Sequence, residues 1–254
     1  MKSKVIWLLP ILLGFTLSVK AQNNREFDDN QIGWHAFFLN YKLNDRFSLH
    51  GEFQWRRDNF VSENKQNLYR SGLNIKLHPQ ATFRVGYAFA DTWPYGDTPI
   101  QSNGIRFPEH RSYQMMTLNN PVGRFNLSHR FMLEQRWVGR NMDPSATKAN
   151  EFVYLNRFRY MFRADIPLKG NTLENNEPYL ALYDEVLLGF GENVNQNVFD
   201  QNRLGILLGY RFSPQVRIEA GYLQQILQFG RFVNGRNYFQ NNQGFIINTF
   251  INLQ

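Results

Sequence analysis

The sequence predicts an all-β fold: a transmembrane antiparallel up-and-down β-barrel of about 12 strands, with 10 as the fallback count. Three observations predict it. The first is the stretch Arg124 to Trp137, in which Phe125, Leu127, His129, Phe131, Leu133, Gln135 and Trp137 alternate with Arg124, Asn126, Ser128, Arg130, Met132, Glu134 and Arg136. A strand sends successive side chains to opposite faces, so this period of two gives one apolar and one charged face. A helix would scatter the same arginines around its surface. The run is also longer than an average soluble strand of about five or six residues, and it covers the roughly 9–11 tilted residues that cross a bilayer as β-structure. The second observation is that no long apolar run follows Ala21. A chain that spans a membrane without such a helix must close into a barrel, because lipid offers no water to unpaired backbone groups. The third is that short and long connections alternate along the chain, the asymmetry of short periplasmic turns and long extracellular loops.

The amino terminus reads as a secretory signal over residues 1–21. Lys2 and Lys4 form a basic start, Val5 to Leu17 is an apolar stretch, and Val19-Lys20-Ala21 is a small-residue cleavage site. Residue 22 is glutamine rather than cysteine, which argues against a lipid anchor. The expected organisation is a signal peptide over 1–21 and a single outer-membrane barrel domain over 22–254. Of the 28 lysines and arginines three lie in the leader, which leaves 25 against 21 acidic residues. That mild basic excess does not argue for nucleic acid. The chain has no cysteine, so disulfide and thiolate chemistry are excluded. Aromatic residues make up 16%, and Tyr and Trp favour the two membrane interfaces. The negative mean hydropathy is compatible with a barrel, because only half of each strand faces lipid.

In chain order, Asn23 to Asn30 is polar and read as mobile, with Asp28-Asp29 as a solvated pair. Gly33 to Tyr41 is the first apolar strand and Leu43-Asn44-Asp45 a tight turn. Arg46 to Arg57 sets Phe47, Leu49, Phe53 and Trp55 against Ser48, His50, Glu52, Gln54 and Arg56. A polar loop from Asp58 to about Asn64 precedes Gln66 to Leu77. Thr82 to Asp91 alternates Phe83, Val85, Tyr87 and Phe89 with Arg84, Gly86, Ala88 and Ala90. Thr92 to Pro108 is a long loop punctuated by prolines and glycines. Glu109 to Leu118 is a strand whose inner face the pattern leaves ambiguous. After the stretch at Arg124–Trp137, Gly139 to Asn150 is another long loop.

Phe152 to Ala164 opposes Phe152, Tyr154, Phe158, Tyr160 and Phe162 to Arg157, Arg159, Met161 and Arg163. In Tyr179–Phe190 the alternation is disturbed: Asp184 faces lipid if Glu185 faces inward, so a bulge or strand end is expected there. A loop from Gly191 to Gln201 precedes Arg203–Phe212. Val216 to Gln225 follows, Phe229 to Asn242 reads as a polar loop, and Phe245 to Leu253 closes the barrel. Eleven strands are well marked. Bacterial barrels normally use an even number, so the segment near Asn24–Ile32 is the candidate for a twelfth.

The chain resembles the outer-membrane proteins grouped as domain of unknown function 2490, common in Bacteroidetes. The residues that carry the resemblance are Gly33-Trp34, Leu43-Asn44-Asp45-Arg46-Phe47-Ser48-Leu49, Glu109-His110-Arg111, Arg130 to Trp137, Asn156-Arg157-Phe158-Arg159, Asp184-Glu185, Asn202-Arg203-Leu204 and Gly221-Tyr222-Leu223-Gln224. Their order and spacing, rather than any single motif, make the match. The resemblance implies the barrel architecture and brings no activity with it.

The strongest chemical feature is the set of residues expected to line the lumen: Arg84, Arg130, Glu134, Arg136, Arg157, Arg159, Arg163, Glu185, Arg203, Arg211, Arg217 and Glu219. An arginine facing lipid at the midplane costs about 2–4 kcal/mol, so these charges belong inside. One reading is a small porin or channel whose arginines favour anions. A second is a narrow interior filled by matched arginine–glutamate pairs, a sealed structural or loop-displaying barrel. A third is an outer-membrane enzyme acting on lipid or lipopolysaccharide, for which His110 and Ser112 share a strand face; Ser128 and His129 are adjacent and point apart. No nucleophile motif supports catalysis, and the expectation is that the protein is not an enzyme. The five histidines lack metal-ligand spacing and no glycine-rich phosphate cradle exists, so no metal and no cofactor are expected. The expected partners are outer-membrane lipid and lipopolysaccharide, with small anionic solutes, and the expected location is the outer membrane.

Overall fold

A computed structural model describes residues 24–140 and 149–254. The expected signal peptide over 1–21 and the core of the loop after Gly139 lie outside the described residues. The fold is all-β. Eleven strands run in chain order: β1 (Arg25–Lys42), β2 (Phe47–Asp58), β3 (Glu63–His78), β4 (Ala81–Thr92), β5 (Phe107–Val122), β6 (Phe125–Arg140), β7 (Glu151–Pro167), β8 (Glu177–Phe190), β9 (Phe199–Arg211), β10 (Val216–Val233) and β11 (Arg236–Leu253). Each pairs antiparallel with its sequence neighbour, and β1 closes on β11 to complete a barrel.

The closing pair is parallel, in register from Arg25↔Asn237 to Tyr41↔Leu253. This follows from the strand count. In an up-and-down meander of eleven strands the first and last run the same way, so only a parallel ladder can join them. The segment near Asn24–Ile32 does not form a separate twelfth strand; from Arg25 it is the upper part of β1, held by Asn237↔Arg25 through Gly244↔Ile32. Closure leaves no strand edge unpaired, which is what makes a barrel viable without water around its backbone.

The two ends differ. One end carries the tight connections 43–46, 79–80, 123–124 and 212–215, together with the longer 168–176. The other carries 59–62, 93–106, 191–198 and the turn at Asn234-Gly235. The expected polar loop over Phe229 to Asn242 is instead the tall tip of the β10–β11 hairpin. Asn234 (φ 50°) and Gly235 (φ 74°) both adopt positive φ, the signature of a type I′ turn. The strands below it are polar yet fully paired, apart from a bulge between Gln228 and Phe232.

Sidedness follows the period of two. Phe158, Ile206, Leu208, Tyr210, Ile218 and Tyr222 point outward and are exposed. A row of rings crosses the outside of neighbouring strands: Phe37 stacks on Phe53 (6.5 Å), Phe53 on Tyr69 (5.0 Å), Tyr69 on Phe89 (6.5 Å), and Phe89 meets His110 (5.2 Å). Such cross-strand aromatic pairs add a few tenths to about 1 kcal/mol each. The inner face of β5, ambiguous in sequence, is Phe107, Glu109, Arg111, Tyr113 and Met115. Inside, Tyr183 lies over Gly205 and Tyr179 over Gly209, their register partners; a Cβ at either glycine would fall 2.1 or 2.3 Å from a ring atom.

Two local expectations are corrected. Asp184 does face outward while Glu185 is buried inside, but no bulge relieves it; the irregularity of β8 lies at Leu187/Leu188. Asp184 is instead met by Asn202 Nδ2, which donates to both carboxylate oxygens at 3.1 Å. Asp28 and Asp29 are not a solvated pair in a mobile arm. Asp28 is buried and accepts from the Asp97 amide (3.1 Å), and Asp29 accepts from Asn241 Nδ2 on the outside (2.6 Å).

Candidate functional site: an arginine-lined lumen

The inward set of each strand carries the charges, so closing the barrel concentrates them in one interior. Glu134 on β6 is fully buried and bridges two β7 side chains, Arg157 (2.6 Å) and Arg159 (3.0 Å). Arg157 continues to Asp200 on β9 (2.6 Å). Glu185 on β8 accepts from Arg159 (2.7 Å), Arg130 (2.8 Å) and Arg203 (3.3 Å). Glu109 on β5 accepts from Arg111 (2.7 Å) and Arg136 (2.5 Å). One network therefore ties β5 through β9. Carboxylates shared between guanidiniums in this way are satisfied by charge-assisted bonds rather than left as buried charges.

Towards the turn end, Glu219 on β10 gathers Arg163 (2.5 Å), Tyr179 Oη (2.6 Å) and Asn248 Nδ2 (3.2 Å). Arg163 also meets Asp165 (2.7 Å), and Arg217 lies 3.8 Å from Asp165 and over the Phe250 ring. Across the lumen, Glu52 pairs with Arg70 (2.7 Å) and His50 (3.3 Å), and Arg84 donates to Asn74 (2.5 Å). Of the twelve residues expected in the lumen, Arg211 stands apart: it sits at the lower end of β9 and donates to the Leu173 carbonyl (2.8 Å) in the connection 168–176.

These side chains do not fill the interior. A cavity of about 370 Å³ opens at the loop end and one of about 290 Å³ at the turn end. Trp34 and Arg203 line both, so the two cavities meet at these side chains, while buried Glu134 lines neither and ties Arg157 of the upper to Arg159 of the lower. Where they meet, Arg203 lies 5.2 Å and Arg56 4.1 Å from the Trp34 ring. The loop-end cavity is lined by Arg56, Lys65, Arg111, Arg136, Arg140, Arg157, Arg203 and Arg231 against Glu109 and Asp200. The turn-end cavity is lined by seven arginines against Glu52 and Glu185. Both walls are cation-rich.

The loop 93–106 folds into the mouth of the upper cavity. Gln240 Nε2 donates to the carbonyls of Tyr95 and Thr98 (3.3 Å each), Arg231 to that of Pro99 (2.8 Å), and Gln101 Nε2 to that of Gly139 (2.8 Å). Gly96 makes the fold-in possible: its φ is +74°, and a Cβ there would sit 2.4 Å from an Asp28 oxygen. Burial pushes the Tyr95 hydroxyl above its ordinary range, so it is a neutral partner for Asn242 Nδ2 (3.3 Å).

The alternation sets Glu52 and Arg56, and likewise Arg70 opposite Tyr69, Leu73 and Leu77, on an inner face without adding them to the charged set. It does not single out Glu109–Arg111, Lys65, Trp34 or Asp200 for the lumen. Opposite charges two apart at Glu109 and Arg111 were a usable signal, since i and i+2 share a strand face. His110 lies outward, bonded to Tyr87 Oη (2.5 Å), and Ser112 donates to Gln135 (2.8 Å). The serine–histidine contact needed for hydrolysis is not formed between them. Among the described residues no cluster of histidines and carboxylates could hold a metal ion.

No curated protein sequence matches the chain. The family described as "Protein of unknown function (DUF2490)" matches residues 31–235, most of the barrel from upper β1 to the tip of the last hairpin. The chain, a closed eleven-stranded barrel, belongs to that family.

Proposed function

We propose that this protein is an outer-membrane barrel that passes small anionic solutes between its two cavities. The observation that supports this best is the waist: two cation-rich cavities share the side chains of Trp34 and Arg203 in their walls. The exposed apolar belt supports the membrane location, because an outer surface carrying Phe158, Ile206, Leu208 and Ile218 would associate in water. Arginines without a full complement of carboxylates make a positive interior, which lowers the barrier for anions and raises it for cations. The waist makes conductance small, and a side chain that swings from it opens the path.

Reconstitution in planar bilayers tests the reading. The wild type is expected to give small channels whose reversal potential in a salt gradient favours the anion, and Trp34→Ala is expected to enlarge them. No conductance from either folded protein would overturn it. One observation favours a sealed barrel instead: Glu134, Glu185 and Glu109 each bind two or more arginines, so the wall on the β5–β9 side is locked. On that reading Trp34→Ala stays closed.

A further inference from the structure

We propose that the loop-end cavity is a binding site for a small organic acid, with Lys65 and Arg56 taking the carboxylate and an apolar wall taking the body. The inference deepens the anion-favouring reading by naming the solute class.

The charge argument is local. Of the eight cations named in the upper cavity wall, Arg111, Arg136, Arg157 and Arg203 hold carboxylates and Arg231 holds backbone carbonyls of the loop 93–106, whereas Lys65 and Arg56 bond neither. Lys65 is buried, and its Nζ has no hydrogen-bond partner among the described residues. It lies 4.0 Å from the Tyr95 ring centroid; Asp58 and Asp28 contribute to its surroundings, but neither bonds it. Arg56 is buried too, and its hydrogen bonds go to the neutral amides of Gln54 and Gln66 (the latter 2.5 Å). The Trp34 Nε1 donor beside them is also unpartnered. Buried donors normally find acceptors, so two unpartnered donors on one cavity wall, beside an arginine that bonds only neutral amides, point to an acceptor that arrives with a ligand. A carboxylate supplies it with charge-assisted bonds.

The rest of the wall selects against a bare inorganic anion. Tyr95, Leu227 and Phe229 are buried apolar surfaces lining the same cavity, with Ile100 packed beside Phe229. A volume near 370 Å³ suits a small ligand with an apolar body, and apolar walls with a few fixed polar groups are the usual form of such sites. Loop 93–106, which carries Tyr95 and Ile100, forms the outer side.

The test is titration calorimetry on the full barrel folded in nanodiscs, with phenylacetate, phenylacetamide, acetate and inorganic phosphate as probes. Phenylacetate is expected to bind saturably, and the neutral amide, acetate and phosphate at least about tenfold more weakly. Lys65→Met removes a group that bonds nothing in the fold, and it is expected to lower phenylacetate affinity by about tenfold or more, with Lys65→Arg restoring most of it. Equal binding of acid and amide, phosphate binding as tightly as phenylacetate, or an unchanged Lys65→Met would each overturn the assignment. Conductance of the wild type is read separately. A barrel that conducts but does not bind phenylacetate refutes this site alone, and one that binds but never conducts refutes transport alone.

Discussion

Glu134 is the residue through which the interior network holds together. It is fully buried and carries Arg157 and Arg159 at 2.6 and 3.0 Å. Removing one partner of a buried ion pair strands the other charge, at a cost on the order of 3–5 kcal/mol. Glu134→Gln is therefore expected to lower the free energy of unfolding, obtained from urea titration of the liposome-folded barrel, by an amount of that order. Asp184 is the opposite case, a carboxylate on the apolar outer face that, among the described residues, is met by Asn202. In the proposed membrane location the outer wall meets lipid, where charges are costly, so Asp184→Leu is expected to stabilise the barrel on the order of 1 kcal/mol by the same measurement. Parity alone reveals that Asp184 and Glu185 cannot both face inward. Parity could not reveal how the chain resolves the conflict, since Asn202 comes from the next strand and only register brings it opposite.

Among the elements, the loop 93–106 lines the mouth of the site with Tyr95, Ile100 and Gln101. Gly96 is held at positive φ against Asp28 and Gln240, so any side chain there is strained and also collides. Gly96→Val is expected to displace the loop from the mouth and raise single-channel conductance, with the closed barrel kept, as judged by unchanged far-UV circular dichroism. The strands themselves were legible because each has its own alternation, as in Phe152–Ala164. The β10–β11 tip was not: its residues are polar on both faces, so hydrophobic periodicity vanished, and only Asn234-Gly235 marked the turn. The upper part of β1 was hidden for the same reason, because Arg25 to Gln31 owes its strand conformation to pairing with β11. The cavity groups Lys65, Trp34 and Tyr95 come from three different elements, and no local pattern joins them.

For the molecule as a whole, an odd strand count has a consequence that an even barrel lacks. β1 starts at the end that carries loops 93–106 and 191–198, and β11 finishes at the end with the tight turns. In the proposed outer-membrane location, an epitope tag placed before Arg25 and one placed after Gln254 should therefore appear on opposite sides of the membrane. Antibody binding to intact and permeabilised cells checks this, and tags on the same side would refute parallel closure. The separation of faces is global too: the lumen collects arginines from eight strands while the outer wall is mostly apolar.

That separation is what everything else needs, and the absence of cysteine allows it to be probed directly. Single cysteines at Ser128, which lines the turn-end cavity, and at Ile206, which is exposed on the outer wall, are to be carried in barrels folded into liposomes. A membrane-impermeant maleimide should label the Ser128 variant and spare the Ile206 variant. A fluorophore attached at Ile206 before folding should be quenched by brominated lipid, and one at Ser128 should not. Quenching at 128 with water-phase labelling at 206 would contradict the account.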